Sequence, residues 1–164
     1  MKPQLIDTAR GIAETAHTGQ VDKIGAPYIE HPAMVADLVQ RLPGYLDADP
    51  DTRQDAVVAA WLHDVIEDTP TTADDLRGAG LSDRSVDAVV ALTRTKDVPP
   101  DDYYATITAQ PVALLVKTAD LASNLAPDRV AQLDDATRTR LDIKYTHALA
   151  QLGVSRDTIT ALHS

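Results

Sequence analysis

The chain has 164 residues, 44% hydrophobic and 24% charged, which is the size and composition of one ordinary globular domain with a real core. A net charge of −10 disfavours nucleic-acid backbones and anionic lipid as main partners, and no run of about 18 apolar residues is present to span a membrane. The absence of Cys excludes disulfides and thiolate zinc sites, and Met1-Lys2-Pro3-Gln4 opens no apolar signal segment, so a cytoplasmic setting is expected.

Periodicity is helical almost throughout and predicts an all-α fold, one domain over residues 1–164, with no repeat or linker. A first helix is predicted over about 3–18, followed by a connection carrying Gly19, Gly25 and Pro27. Pro32 suits the first turn of a second helix that runs to Leu42, where Pro43-Gly44 breaks it. Asp51 or Thr52 caps a third, ending near Asp68 because Thr69 precedes Pro70. Thr71-Thr72 opens a short helix that stops at Gly78 or Gly80, and Ser82 caps the next over 83–95. A loop at 97–100 leads to helices over 101–109 and 111–125, and Pro127 opens a short helical turn. A long helix over 134–152 closes at Gly153, and a last one covers 155–163. With no Phe and one Trp, the core falls to Leu, Val, Ile and Ala.

The informative segment is Trp61-Leu62-His63-Asp64-Val65-Ile66-Glu67-Asp68-Thr69, where four ionisable side chains follow the apolar run 56–62. A His–acid neighbour is expected about once by chance among 5 His and 25 acids, so the dipeptide is informative only in context. Burying His63 and Asp64 is costly unless something pairs with them, and a divalent cation is the obvious partner. Glu67 and Asp68 lie four residues after His63 and Asp64, on the same helix faces, where a carboxylate can orient an imidazole or hold a water. A solvated helix end is the plainer reading, but an acidic C-terminus opposes the helix dipole and favours a cation there. His31, before Pro32, is a further ligand candidate, although a His at such a junction more often caps or packs. Asp120 falls in the apolar helix 114–124, on one stripe with Lys117 and Asn124; an internal Lys117–Asp120 ion pair is the simpler alternative.

These residues resemble the His-Asp metal-dependent phosphohydrolase superfamily, with its pattern of His, His-Asp and Asp. More closely, residues 16–32, 61–69 and 116–124 resemble three signatures of the hydrolase domain of RelA/SpoT-type alarmone enzymes, and the similarity extends through Tyr145 and Leu152-Gly153. With no synthetase domain after it, the chain is most similar to the stand-alone small alarmone hydrolases. The resemblance implies an HD-type helical bundle in which His31, His63, Asp64 and Asp120 bind one Mn²⁺ (other divalent metals remaining open) and Glu67 and Asp68 activate water. It implies Lys23 at phosphate, Asn124 at the nucleoside, and Lys117 and Tyr145 along the pocket. The implied reaction is hydrolysis of the 3′-pyrophosphate of (p)ppGpp by metal-activated water, giving GDP or GTP and pyrophosphate. Two features depart from the pattern: Asp22 stands where Arg is usual, and Leu121 and Leu125-Ala126-Pro127 replace a basic residue and a Met-Arg-Thr-like stretch. Both concern substrate recognition and leave the metal set intact.

Action on another nucleotide or phosphate ester stays open, as does a non-catalytic nucleotide- or protein-binding regulator; so does a homo-oligomer. His17, His147 and His163 read as structural or surface residues, and Trp61 as core. Arg138, Arg140 and Lys144 give the long helix a basic flank that reads first as a solvated face paired with local acids, and otherwise as a phosphate contact.

Overall fold

Prolines and capping side chains set most of the helix starts. In the computed structural model, which describes residues 2–164, the helices are α1 (Pro3–Ala16), α2 (Glu30–Val39), α3 (Pro43–Leu46), α4 (Pro50–Leu62), α5 (Val65–Asp68), α6 (Ala73–Gly78), α7 (Asp83–Leu92), α8 (Pro100–Thr108), α9 (Pro111–Asn124), α10 (Pro127–Ala131), α11 (Asp135–Leu152) and α12 (Arg156–Ala161). Met1, the first residue of the predicted 1–164 domain, lies outside the described residues. Helices α1, α3, α4, α8, α9 and α10 carry proline in the first turn, where its fixed φ helps and its missing N–H costs nothing. Asp49, Thr72, Ser82, Asp134 and Ser155 each cap the following helix by accepting a backbone N–H from three residues on. Among the described residues the fold is all-α, its only extended pairing an isolated bridge between Val21 and Pro27, and no helix is long and apolar enough to cross a membrane.

Several boundaries differ from the sequence expectation. Asp49, not Asp51 or Thr52, caps α4, whose first turn holds both of those residues. Helix α2 ends at Val39 rather than Leu42, and α7 ends at Leu92, short of residue 95. Helix α2 begins at Glu30, so His31 and Pro32 both lie inside its first turn. Pro43-Gly44, read as a break, is the start of the four-residue α3. The helix predicted to reach Asp68 stops at Leu62, and a turn at His63-Asp64 separates α4 from α5. At that turn the His63 Nδ1–H donates to the carbonyl of Ala60 at 2.8 Å, satisfying one of the acceptors that the helix end exposes.

Helix α4 buries Ala56, Val57, Val58, Ala59, Ala60 and Leu62, nearly its whole circumference, which makes it the centre of the structure. Helices α2 and α9 pack on it and on each other, α1 covers a further side, and α7 and α8 close against α9. Buried Asp55 ties α4 to α7 by accepting from Arg84 Nε and Ser82 Oγ, both at 2.7 Å. Small Ala side chains let the three central helices approach closely. That approach brings the first turn of α2, the end of α4 and the last turns of α9 to one place.

Candidate metal centre and substrate cavity

His31, His63, Asp64 and Asp120 meet at that place. The two imidazole Nε2 atoms are 3.3 Å apart. Asp120 Oδ1 lies 2.9 Å from His31 Nε2 and 3.5 Å from His63 Nε2, while Asp64 Oδ2 lies 3.8 Å and 3.0 Å from the same atoms. Ligand atoms of His31, His63 and Asp64 all fall within 4.8 Å of one another. Both rings are held from behind, His31 Nδ1 by Ser123 Oγ at 2.9 Å and His63 Nδ1 by the Ala60 carbonyl. Because Nδ1 of His63 must carry the proton to reach a carbonyl, its neutral ring turns the Nε2 lone pair inward. Inward lone pairs, facing carboxylates and hydrogen bonds from behind are what a divalent ion requires, so this donor set fits one.

The charges are strongly coupled. Burial would push the His63 imidazole down, but Asp64 and Asp120 hold it well above its ordinary range. Burial would raise Asp120, yet Lys117, His31 and His63 keep its carboxyl well below the usual range. Asp64 is likewise held to about 2, against burial, first by His63. Tyr28 donates its hydroxyl to Asp64; burial and then that carboxylate push the phenol up, so it remains a donor. Lys117 Nζ sits 3.0 Å from Asp120 Oδ2, so the alternative ion pair is present, while Asp120 Oδ1 still faces the imidazoles.

A cavity of about 580 Å³ opens over the cluster, lined by His31, Asp64 and Asp120 and by Lys23, Glu67, Lys117, Asn124 and Tyr145. His63 lies behind this wall. Asp68 is exposed and off the wall, but a carboxylate oxygen of it falls within 4.8 Å of those of Asp64 and Glu67. Glu67 Oε1 accepts the backbone N–H of Arg94 at 2.6 Å. Partial burial raises the Glu67 carboxyl, with Asp64 and Asp68 adding to the Arg94-opposed shift; Asp68 is raised for the same first reason. Asn124 Nδ2 reaches Asp120 Oδ1 at 3.4 Å.

The cavity also contains Asp22, Tyr28, Arg94, Tyr104, Arg129 and Lys144, to which sequence reading gives no site role or only a secondary one. Asp22 accepts from the N–H groups of Ile24 and Ala26, and its other oxygen meets Arg129 Nη1 at 3.0 Å. Of the basic flank of α11, Arg138 bonds the Leu133 carbonyl and pairs with Asp135, as a solvated face would, while Lys144 lines the cavity. The histidines set aside lie elsewhere: His17 is buried against Tyr28 with Nδ1 2.8 Å from Gln20, His147 is exposed, and His163 bonds the Ala122 carbonyl. Trp61 is partly buried against the core. Leu121 is buried on the cavity wall, while Leu125 and Pro127 line a larger, mainly apolar cavity of about 780 Å³ that shares Asn124, Leu133, Leu141 and Tyr145 with the first.

The family model described as HD domain matches residues 9–141. The chain belongs to the HD-domain family. A Haemophilus influenzae guanosine-3′,5′-bis(diphosphate) 3′-pyrophosphohydrolase is 44% identical to this HD-domain chain over 88 residues, 52% of the chain and 12% of that protein. A Vibrio cholerae protein of the same name is 32% identical over 160 residues, 87% of the chain and 21% of that protein. The HD-domain chain thus spans a small part of the curated relatives it matches. A solved structure described as a metazoan ortholog of SpoT that hydrolyzes ppGpp superposes with a TM-score of 0.75, covering 99% of this chain and 93% of that one at 19% identity, a likeness of fold.

Proposed function

We propose that the chain is a metal-dependent phosphohydrolase that removes pyrophosphate from the 3′ position of (p)ppGpp. The observation that carries this reading is the buried His31–His63–Asp64–Asp120 cluster at the base of a cavity lined by Glu67 and several cations. Those four residues would hold one divalent ion, Mn²⁺ in this reading. Bound there, the ion supplies Lewis-acid polarisation of a phosphoryl oxygen and a lowered pKa for water. Glu67, its carboxyl raised above its ordinary value, takes a proton from a water as the water oxygen bonds to phosphorus; the bond from phosphorus to the 3′ oxygen breaks and that oxygen takes up a proton, leaving GDP or GTP with a free 3′ hydroxyl and pyrophosphate. Asp68 supports Glu67 by adding negative charge beside it. Lys23 and Lys117 would face phosphate oxygens, Asn124 the nucleoside, and Tyr145 the side of the pocket. The names of the two bacterial relatives and the cytoplasmic expectation from sequence support the choice of a free nucleotide.

Asp22 does not stand against this substrate. Its carboxylate is occupied by Arg129 and two backbone amides and presents no unpaired charge to a pyrophosphate.

The test is to add Mn²⁺ and ppGpp to the purified chain and identify the products. Pyrophosphate and GDP are expected, and Asp64→Asn is expected to abolish their release while circular dichroism stays unchanged. Orthophosphate release from nucleoside monophosphates would transfer the site to the nucleotidase reading. Tight nucleotide binding without turnover across several metals would favour a regulator, and full activity in Asp64→Asn would refute the ligand set.

A further inference from the structure

Two ammonium groups line the cavity with no carboxylate of the described residues within ion-pair distance, although Asp22, Asp64, Glu67 and Asp120 share the wall. Lys23 lies on the connection between α1 and α2, and Lys144 on α11; among the described residues neither takes part in an ion pair. The other cations there are engaged. Lys117 faces Asp120 and Arg129 faces Asp22, each at 3.0 Å, while the Arg94 guanidinium lies 4.7 Å from the centre of the Tyr103 ring and bonds the Tyr104 hydroxyl at 2.9 Å. Like charges gathered over one concave surface repel, and an anion in that concavity relieves the repulsion.

We infer that Lys144 is a phosphate-binding residue of this cavity, meeting from α11 an anionic group that Lys23 meets from the loop; the inference rests on reading the cavity as a phosphate-ester site. Residue 22 explains the arrangement. Its carboxylate is turned to Ile24, Ala26 and Arg129, so the loop offers one uncommitted cation, and α11 supplies a second. The surroundings of Lys144 agree: partial burial, then the charges of Arg94, Lys117 and Lys23, hold its ammonium below the ordinary lysine value against the opposing charge of Asp120. Its Nζ lies 5.8 Å from the centre of the Tyr145 ring, itself on the wall. Arg140, one turn earlier, is exposed as Lys144 is, but lies off the wall.

Calorimetric binding of inorganic pyrophosphate to the full chain in metal-free buffer tests this without metal or turnover. Lys144→Met is expected to weaken binding about tenfold, and Lys144→Arg to stay within about threefold of the unaltered chain. Arg140→Met is expected to bind as the unaltered chain does. With Mn²⁺ and ppGpp, Lys144→Met is expected to raise KM by about the same factor and to leave kcat within about twofold. No pyrophosphate binding by the unaltered chain, or equal binding by Lys144→Met, overturns the inference. If pyrophosphate binding depends on Lys144 while ppGpp is not turned over, the inference stands and the hydrolase reading falls.

Discussion

Asp22 shows what a residue's chemistry means only after folding. In the sequence it is an acid beside Lys23, where it would repel a pyrophosphate. Folded, it is a brace: it caps the turn through two N–H groups and holds Arg129 of α10. Burial would raise its carboxyl, but Arg129 and the two amides hold it below the ordinary 3.8. A carboxylate whose folded pKa is depressed stabilises the fold above its unfolded pKa, and this contribution is lost as pH falls through the folded value. Asp22→Ala is therefore expected to melt below the unaltered chain at pH 7, with the gap closing below about pH 4, as thermal melts across that range would show. The metal-type residues were more legible, because His63-Asp64 after an apolar run is costly on its own. Arg94 carried no such signal: its main-chain N–H holds Glu67 across 27 residues, a contact that only tertiary structure creates.

At the level of elements, proline and cap chemistry made most helices readable, and the errors fell where tertiary contacts override local preference. The α4–α5 turn is the main one. Helical spacing runs through residues 50–68, yet the chain turns at His63-Asp64. There His63 bonds the Ala60 carbonyl of its own helix, while Asp64 accepts the Tyr28 hydroxyl and both residues face the His31 imidazole, groups of other segments. Gly153 shows the opposite case, a local rule sufficient by itself. It ends α11 at φ +68, with the Val154 N–H returning to the Leu149 carbonyl at 3.1 Å. A Cβ there would meet no atom within 4 Å, so the cost of Gly153→Ala is conformational alone. Chemical denaturation is expected to show a loss of about 1–2 kcal/mol with the cavity's binding properties unchanged.

For the whole molecule, the proposed ligand set joins the three helices that pack together at the centre, α2, α4 and α9. A cation bound to the folded state alone adds stability by mass action, about 2.7 kcal/mol at a hundred times its Kd. Mn²⁺ is thus expected to raise the melting temperature, and chelation to reverse this. The effect should depend on pH. His63 carries a raised pKa in the metal-free protein and must lose its proton to offer Nε2, so affinity is expected to climb as pH rises through that value and then level off. Calorimetry at several pH values checks this; a flat profile would remove His63 from the ligand set. None of this assembly was visible as geometry in the sequence, where His31, His63 and Asp120 are separated by long stretches; only their residue types were.

The chain's charge is arranged inside out. Its overall balance is −10, yet five of its fifteen Lys and Arg line one hollow of about 580 Å³ against only four of its twenty-five acids, Asp22, Asp64, Glu67 and Asp120. The free nucleotide of the proposed reaction would enter and leave the outer field behind. An RNA strand bears the same phosphates but must hold most of its backbone against the acidic exterior, where each further phosphate adds repulsion. Under the proposed function, discrimination between monomer and polymer would need no gate and no reading of bases: electrostatics and its own length would turn the polymer away.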